Sequence, residues 1–180
     1  TQNLAGSGCY ESTDSGLSDF GHEVVAEMNR VGMLCDLSHV GSVTSRDVIE
    51  ASGKPVAYTH CLPAGLKEHP RNKADDELRF IADHGGFIGV TMFTPFLRRG
   101  GEASVDDYIE AIDYIINIAG EDRIGIGTDF TQGHGGVFVE RLLMLTQFLG
   151  IGDGVGAATL GAVIHRFELG HTYSNQCRNN

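Results

Sequence analysis

The sequence predicts an α/β fold built on a parallel sheet. Three short apolar runs, residues 32–39, 55–60 and 123–129, have the length and composition of buried strands. Each follows a segment with helical periodicity, and strands alternating with helices make βαβ units. Each run also ends on a chemically active side chain: His39, His60 and Asp129. Parallel sheets of this kind carry their chemistry at the C-terminal ends of their strands. Two imidazoles and a carboxylate gathered at that edge would make a metal-assisted hydrolytic site. Taken singly, each is an ordinary hydrogen-bonded residue at a strand end.

Residues 1–16 are rich in Gly, Ser and Thr and read as a loop. Ser18 is placed to cap a helix whose apolar positions Phe20, Val24, Val25 and Met28 recur at helical spacing and stop before Gly32. The strand ending at His39 follows, then a second helix over 42–52 and the stop signal Gly53-Lys54-Pro55. After the His60 strand, residues 61–74 form a long polar loop with Pro63, Pro70 and the pair Arg71-Asn72. Function concentrates in such loops. The spacing predicts a helix over 75–84 with Leu78, Ile81 and Ala82 inward, closed by Gly85-Gly86, and a strand over 87–93. Ser104 with Asp107 opens a helix that lines up Val105, Tyr108, Ile109, Ile112, Ile115 and Ile116, and Gly120 ends it. The Asp129 strand is the fourth.

A chain of 180 residues can bury a core, and 41% hydrophobic with 21% charged residues is ordinary globular composition. A formal charge of −11 disfavours nucleic acid and anionic membrane as partners. No apolar stretch reaches transmembrane length. The start, Thr1-Gln2-Asn3, has neither a signal-peptide character nor an initiator Met, so the chain is expected to begin inside a longer protein. Cys9, Cys35, Cys61 and Cys177 make no disulfide framework and no CxxC motif. Cys35 and Cys61 read as small buried hydrophobes, and the compartment reads as reducing and cytoplasmic.

Residues 136–180 hold three acidic and three basic groups, so the whole charge sits in 1–135, where 21 acidic groups face 10 basic ones. The sequence therefore divides into a catalytic-type segment, 1–135, and a divergent, partly helical tail, 136–180. Helices are expected over 137–149 and 157–169, and residues 173–180 are expected to fray.

The stretch 16–39, from Gly-Leu-Ser-Asp-Phe-Gly-His to Cys-Asp-Leu-Ser-His, resembles the membrane dipeptidase (renal dipeptidase) family of zinc peptidases. So do Pro-Val-Ala-Tyr-Thr-His at 55–60, Arg71-Asn72 with Asp75-Asp76, residues 85–90, and Gly-Ile-Gly-Thr-Asp-Phe at 125–130. The resemblance runs from about Asn3 to Asp129. It implies an α/β fold, a partial (β/α)8 TIM-type barrel covering about strands five to eight with their helices. It implies zinc as cofactor, two ions per complete enzyme, with His39 and His60 binding one of them. It implies that Arg71 holds the carboxylate of a dipeptide substrate, and that Asp129 meets the substrate's amino group and assists proton transfer.

The family's remaining ligands, a His-x-Asp pair and a bridging glutamate, are expected upstream of Thr1, and Glu11 shows no sign of replacing the bridge. The chain then reads as the C-terminal half of a metallodipeptidase, poorly active alone, with a homodimer among the assemblies left open. Two readings stand beside it: another metal-dependent barrel amidohydrolase acting on cyclic amides, and a non-catalytic half-barrel remnant. The residue chemistry suits the first reading. Neutral imidazoles suit zinc. Arg71 is a permanent planar fork for a carboxylate, although an arginine in a loop is by itself usually a solvated charge. Asp129 could pair with an ammonium and pass a proton to the leaving amine. His22, His69, His84 and His165 read as surface or capping residues, and His134 as a residue near the site end of the last strand.

Overall fold

The structure, a computed structural model, describes residues 3–129. The tail segment 136–180, its two expected helices, His134 and His165 lie outside the described residues.

Helix α1 (Asp19–Val31) begins where Ser18 Oγ accepts the Gly21 N–H at 3.0 Å. It ends at Gly32, whose φ of +75° suits only a residue without Cβ. Helix α2 (Ser42–Ala51) starts after Gly41, which has no side chain to cap it. Asp14 does so from the preceding loop, accepting from the backbone N–H of Val43 at 2.7 Å and of Thr44 at 3.1 Å. Strand β1 (Ala57–Cys61), helix α3 (Asp75–Asp83), strand β2 (Phe87–Val90), helix α4 (Val105–Ala119) and strand β3 (Ile124–Ile126) complete the order. The three strands are parallel neighbours in the order β1-β2-β3.

The strand expected over 32–39 is not one. A single parallel bridge, Asp36 to Ala57, joins that segment to β1, through Leu37 N–H to Ala57 O at 2.8 Å and Ala57 N–H to Cys35 O at 3.1 Å. The reason is local. The Asp36 carboxylate accepts the Ser38 N–H at 3.0 Å and turns the chain before a second pair of ladder bonds can form. Cys35 and Leu37 still point inward, at 5% and 2% exposed. The strand expected over 87–93 stops at Val90, because the Phe93 N–H turns back to Thr91 Oγ1 and Pro95 opens a 3-10 turn.

The core lies between the sheet and helices α3 and α4. Leu78, Ile81, Ile88, Val90 and Ile115 are fully buried, and Tyr108 donates its hydroxyl to the Val90 carbonyl at 3.0 Å. Each such aliphatic side chain contributes about 1.5–3 kcal/mol at most. Capping of α4 follows the sequence expectation, with the Ser104 N–H donating to Asp107 Oδ2 at 2.7 Å.

One irregularity positions the site. Tyr58 pairs with Ile88 and Cys61 with Val90, so β1 carries one extra residue between them, a β-bulge at Thr59–His60. The bulge brings the Thr59 carbonyl close to β2 and to the residue that follows β3. A Cβ on Gly89 or on Gly127 would lie 2.0 or 1.9 Å from that oxygen, so both positions need glycine.

Candidate metal centre

His39 and His60 come together although one follows a turn and the other sits in the bulge of β1. Their Nε2 atoms are 3.1 Å apart and their ring centroids 5.1 Å. Zinc–imidazole bonds of about 2.0–2.1 Å at a tetrahedral angle would separate two nitrogens by about 3.3 Å, so this pair fits one ion. Burial, the nearby Arg71 cation and His60 itself hold the His39 ring below its usual pKa, against the opposing pull of Asp129 and Asp36. The shift favours the neutral ring, the form a metal needs. Among the described residues no group of three or more His, Cys, Asp or Glu is arranged to hold a metal.

Asp129 approaches from the end of β3, with Oδ1 4.0 Å from His60 Nε2. Its φ of +56° is left-handed, which an aspartate adopts more readily than most residues. Its side chain is 46% exposed, against 16% for His60, so the carboxylate stands at the open side of the pair.

Arg71 is 3% exposed, which overturns its reading as a solvated loop charge. The loop folds on itself: Lys73 N–H donates to Leu62 O and Ala64 N–H to Lys73 O, both at 2.8 Å. Asn72 Nδ2 ties it to the Lys67 carbonyl at 2.8 Å and to Phe96 O at 3.0 Å. Within that frame Arg71 Nη2 reaches the His60 carbonyl at 3.5 Å, while Nη1 is buried and has no hydrogen-bond partner among the described residues. A buried guanidinium with an unmatched donor is suited to an anion. The Arg71 cation, His39, His60 and the Asp129 carboxylate thus form one neighbourhood.

Sequence reasoning missed the residues behind the histidines. Asp36 Oδ1 accepts from Ser38 Oγ at 2.6 Å and from the Thr59 N–H at 3.2 Å, and Asp36 Oδ2 accepts from Thr59 Oγ1 at 2.7 Å. Thr59 Oγ1 lies 2.8 Å from His60 Nδ1, and Ser38 Oγ accepts the His60 N–H at 3.0 Å. Burial opposes the charge of Asp36, but these hydrogen bonds from Ser38 and Thr59 outweigh it and hold the carboxyl below its usual range. The spacing Asp36-Leu37-Ser38 is an Asx-turn signal and could have been read. The join to Thr59, 23 residues on, could not. Of the other histidines, His84 donates from Nδ1 to the Phe80 carbonyl at 2.8 Å at the end of α3, and His69 stacks on Phe96 with centroids 4.3 Å apart.

The family described as Membrane dipeptidase (Peptidase family M19) matches residues 2–144. An uncharacterized dipeptidase of Schizosaccharomyces pombe is 40% identical over 119 residues, 65% of this chain and 29% of that protein. In fold, the chain is similar to an amidohydrolase from Pseudomonas aeruginosa, with a TM-score of 0.72 and 71% identity over 78% of this chain and 43% of the other. It is also similar to a metallo peptidase from Rhodobacter sphaeroides liganded with a phosphinate mimic of the dipeptide L-Ala-D-Ala, with a TM-score of 0.65 and 30% identity over 79% and 43%. The chain spans about a third of the curated relative's length and under half of either solved structure.

Proposed function

The chain belongs to the membrane dipeptidase family of peptidases, and from that premise we propose that it supplies one part of a zinc-dependent dipeptidase site. His39 and His60 hold one zinc, Arg71 grips the substrate's terminal carboxylate, and Asp129 meets its amino group. The observation that carries the reading is the 3.1 Å approach of the two Nε2 atoms, with Asp129 Oδ1 4.0 Å from one of them. Two imidazoles are fewer than the three protein donors of an ordinary catalytic zinc, so the remaining ligands come from outside residues 3–129.

The proposed architecture is a section of a (β/α)8 barrel. Its support is the parallel order β1-β2-β3 and the 41% exposure of Ile126 on the edge strand β3. An edge of this kind is suited to further strands.

Zinc, when bound, supplies Lewis acidity at neutral pH. The chain's own groups do the rest. Arg71 offers a buried fork, whose unmatched Nη1 is free to donate to a carboxylate oxygen. Asp129, at the open side, neutralises an ammonium and is placed to pass a proton to the leaving amine. Anchors for both charged ends favour a substrate of two residues over a longer peptide. The Rhodobacter sphaeroides relative's dipeptide mimic supports the same class.

A second reading is hydrolysis of ring amides, and the Pseudomonas aeruginosa relative is described only as an amidohydrolase, a term that fits either substrate. Assays of the zinc-loaded protein on dipeptides and on cyclic amides separate the two. Dipeptide turnover that disappears in His60→Ala supports the proposal. Ring-amide turnover alone favours the second reading. Absence of both turnover and zinc would indicate a non-catalytic remnant.

A further inference from the structure

The hydrogen bonds behind His60 leave little freedom in where protons can sit. A carboxylate only accepts, and a hydroxyl has one proton to give. Thr59 Oγ1 lies 2.7 Å from Asp36 Oδ2, so the threonine proton points at Asp36. Ser38 Oγ lies 2.6 Å from Asp36 Oδ1 and commits its own proton in the same way. Thr59 Oγ1 can therefore meet His60 Nδ1, 2.8 Å away, only as an acceptor. The hydrogen must be on Nδ1, and the lone pair is left on Nε2. The opposite tautomer would set the lone pairs of Nδ1 and Oγ1 against each other, or turn the Thr59 proton away from a carboxylate.

The same carboxylate holds the backbone of the bulge. Asp36 Oδ1 also accepts the Thr59 N–H at 3.2 Å, and Ser38 Oγ accepts the His60 N–H at 3.0 Å. Asp36 thus fixes both the place of the imidazole and the atom that carries its hydrogen.

We propose that Asp36, acting through the Thr59 hydroxyl, is the positioning residue that sets His60 in its Nδ1–H tautomer and keeps the Nε2 lone pair open beside His39. The inference deepens the reading of His39 and His60 as metal ligands and rests on it for its purpose. A ligating histidine needs its second nitrogen held by an outer partner, and loss of such a partner commonly costs 10–100-fold in metal affinity.

The test uses the full chain, first metal-free, with 15N-labelled histidine and long-range 1H–15N correlation spectra. His60 should show the Nδ1–H pattern in the wild type, a mixture of tautomers in Thr59→Val, and the wild-type pattern again in Thr59→Ser. Zinc titrated against a chromophoric chelator should bind about 10–100-fold more weakly in Thr59→Val and in Asp36→Asn, and nearly normally in Thr59→Ser. An Nε2–H tautomer in the wild type would overturn the proposal. So would unchanged His60 shifts in Thr59→Val, even if that variant were less stable to urea, because the network would then be structural only. A wild-type chain that holds the Nδ1–H tautomer but whose zinc affinity is unchanged by His39→Ala and His60→Ala would uphold the role of Asp36 and reject the metal reading on which its purpose rests.

Discussion

His39 and His60 face each other Nε2 to Nε2 at 3.1 Å because β1 breaks register one residue before His60. A regular strand would alternate Thr59 and His60 to opposite faces. The extra residue re-aims the imidazole toward the turn that carries His39. If both rings hold one zinc, His39→Ala and His60→Ala should each weaken zinc binding by more than the about 10–100-fold typical of an outer partner. The double variant should be little worse than either single one, since the two donors act as a unit. Competition titration reads both quantities. Additive losses would mean that the histidines act separately.

Arg71 makes a second test. Its guanidinium is 3% exposed with Nη1 unmatched, so a substrate carboxylate would complete a set of donors already in place. Arg71→Lys keeps the charge and loses the fork. In the dipeptide assay kcat/KM should fall by about 2–3 kcal/mol equivalent, chiefly through KM. An unchanged kcat/KM would remove Arg71 from substrate binding.

Where the sequence was legible, the signals were local. Ser18 and Gly32 bracket α1 because a cap is decided within a few residues, and Ser104 with Asp107 opens α4 for the same reason. His39, His60 and Asp129 stood out as the last residues of apolar runs, and the structure brings those three side chains into one neighbourhood. What could not be read depends on pairings across the fold. The run ending at His39 has the composition of a strand, yet the Asp36 turn reduces it to one bridge. Arg71 lies in a polar segment, and only the return of Lys73 to Leu62 buries it. The bulge at Thr59 has no signature of its own. Its trace is in Gly89 of β2 and in Gly127, just past the end of β3.

The Arg99–Asp107 pair predicts an acid-sensitive contribution to stability. Arg99 Nη2 lies 2.7 Å from Asp107 Oδ2, and Asp107 is buried at the start of α4. The Arg99 hydrogen bonds outweigh burial and hold this carboxyl well below the usual range. A depressed pKa in the folded state stabilises fully above the unfolded value of about 3.9 and is lost as pH falls below it. Asp107→Asn should therefore lower the urea midpoint at pH 7, and the gap to the wild type should narrow between about pH 4 and pH 2. A gap constant with pH would show that the charge of Asp107 contributes nothing.

Gly89→Ala tests whether the bulge shapes the site. The new Cβ would lie 2.0 Å from the Thr59 carbonyl oxygen and 2.7 Å from its carbon, both backbone atoms that cannot swing aside. Strands β1 and β2 would have to part, at a cost of about 1–3 kcal/mol by analogy with overpacked cores, visible as a lower urea midpoint. Because Thr59 precedes His60, the same displacement should carry His60 Nε2 away from His39 and weaken zinc binding. Gly125→Ala is the internal control. There the Cβ would meet Phe87 Cζ at 2.4 Å, the far end of a half-buried ring that can rotate away. That variant should lose less stability and keep its zinc affinity. Equal effects of the two substitutions on zinc would mean that the site responds to general loosening of the sheet, and that the bulge does not set the approach of the two histidines.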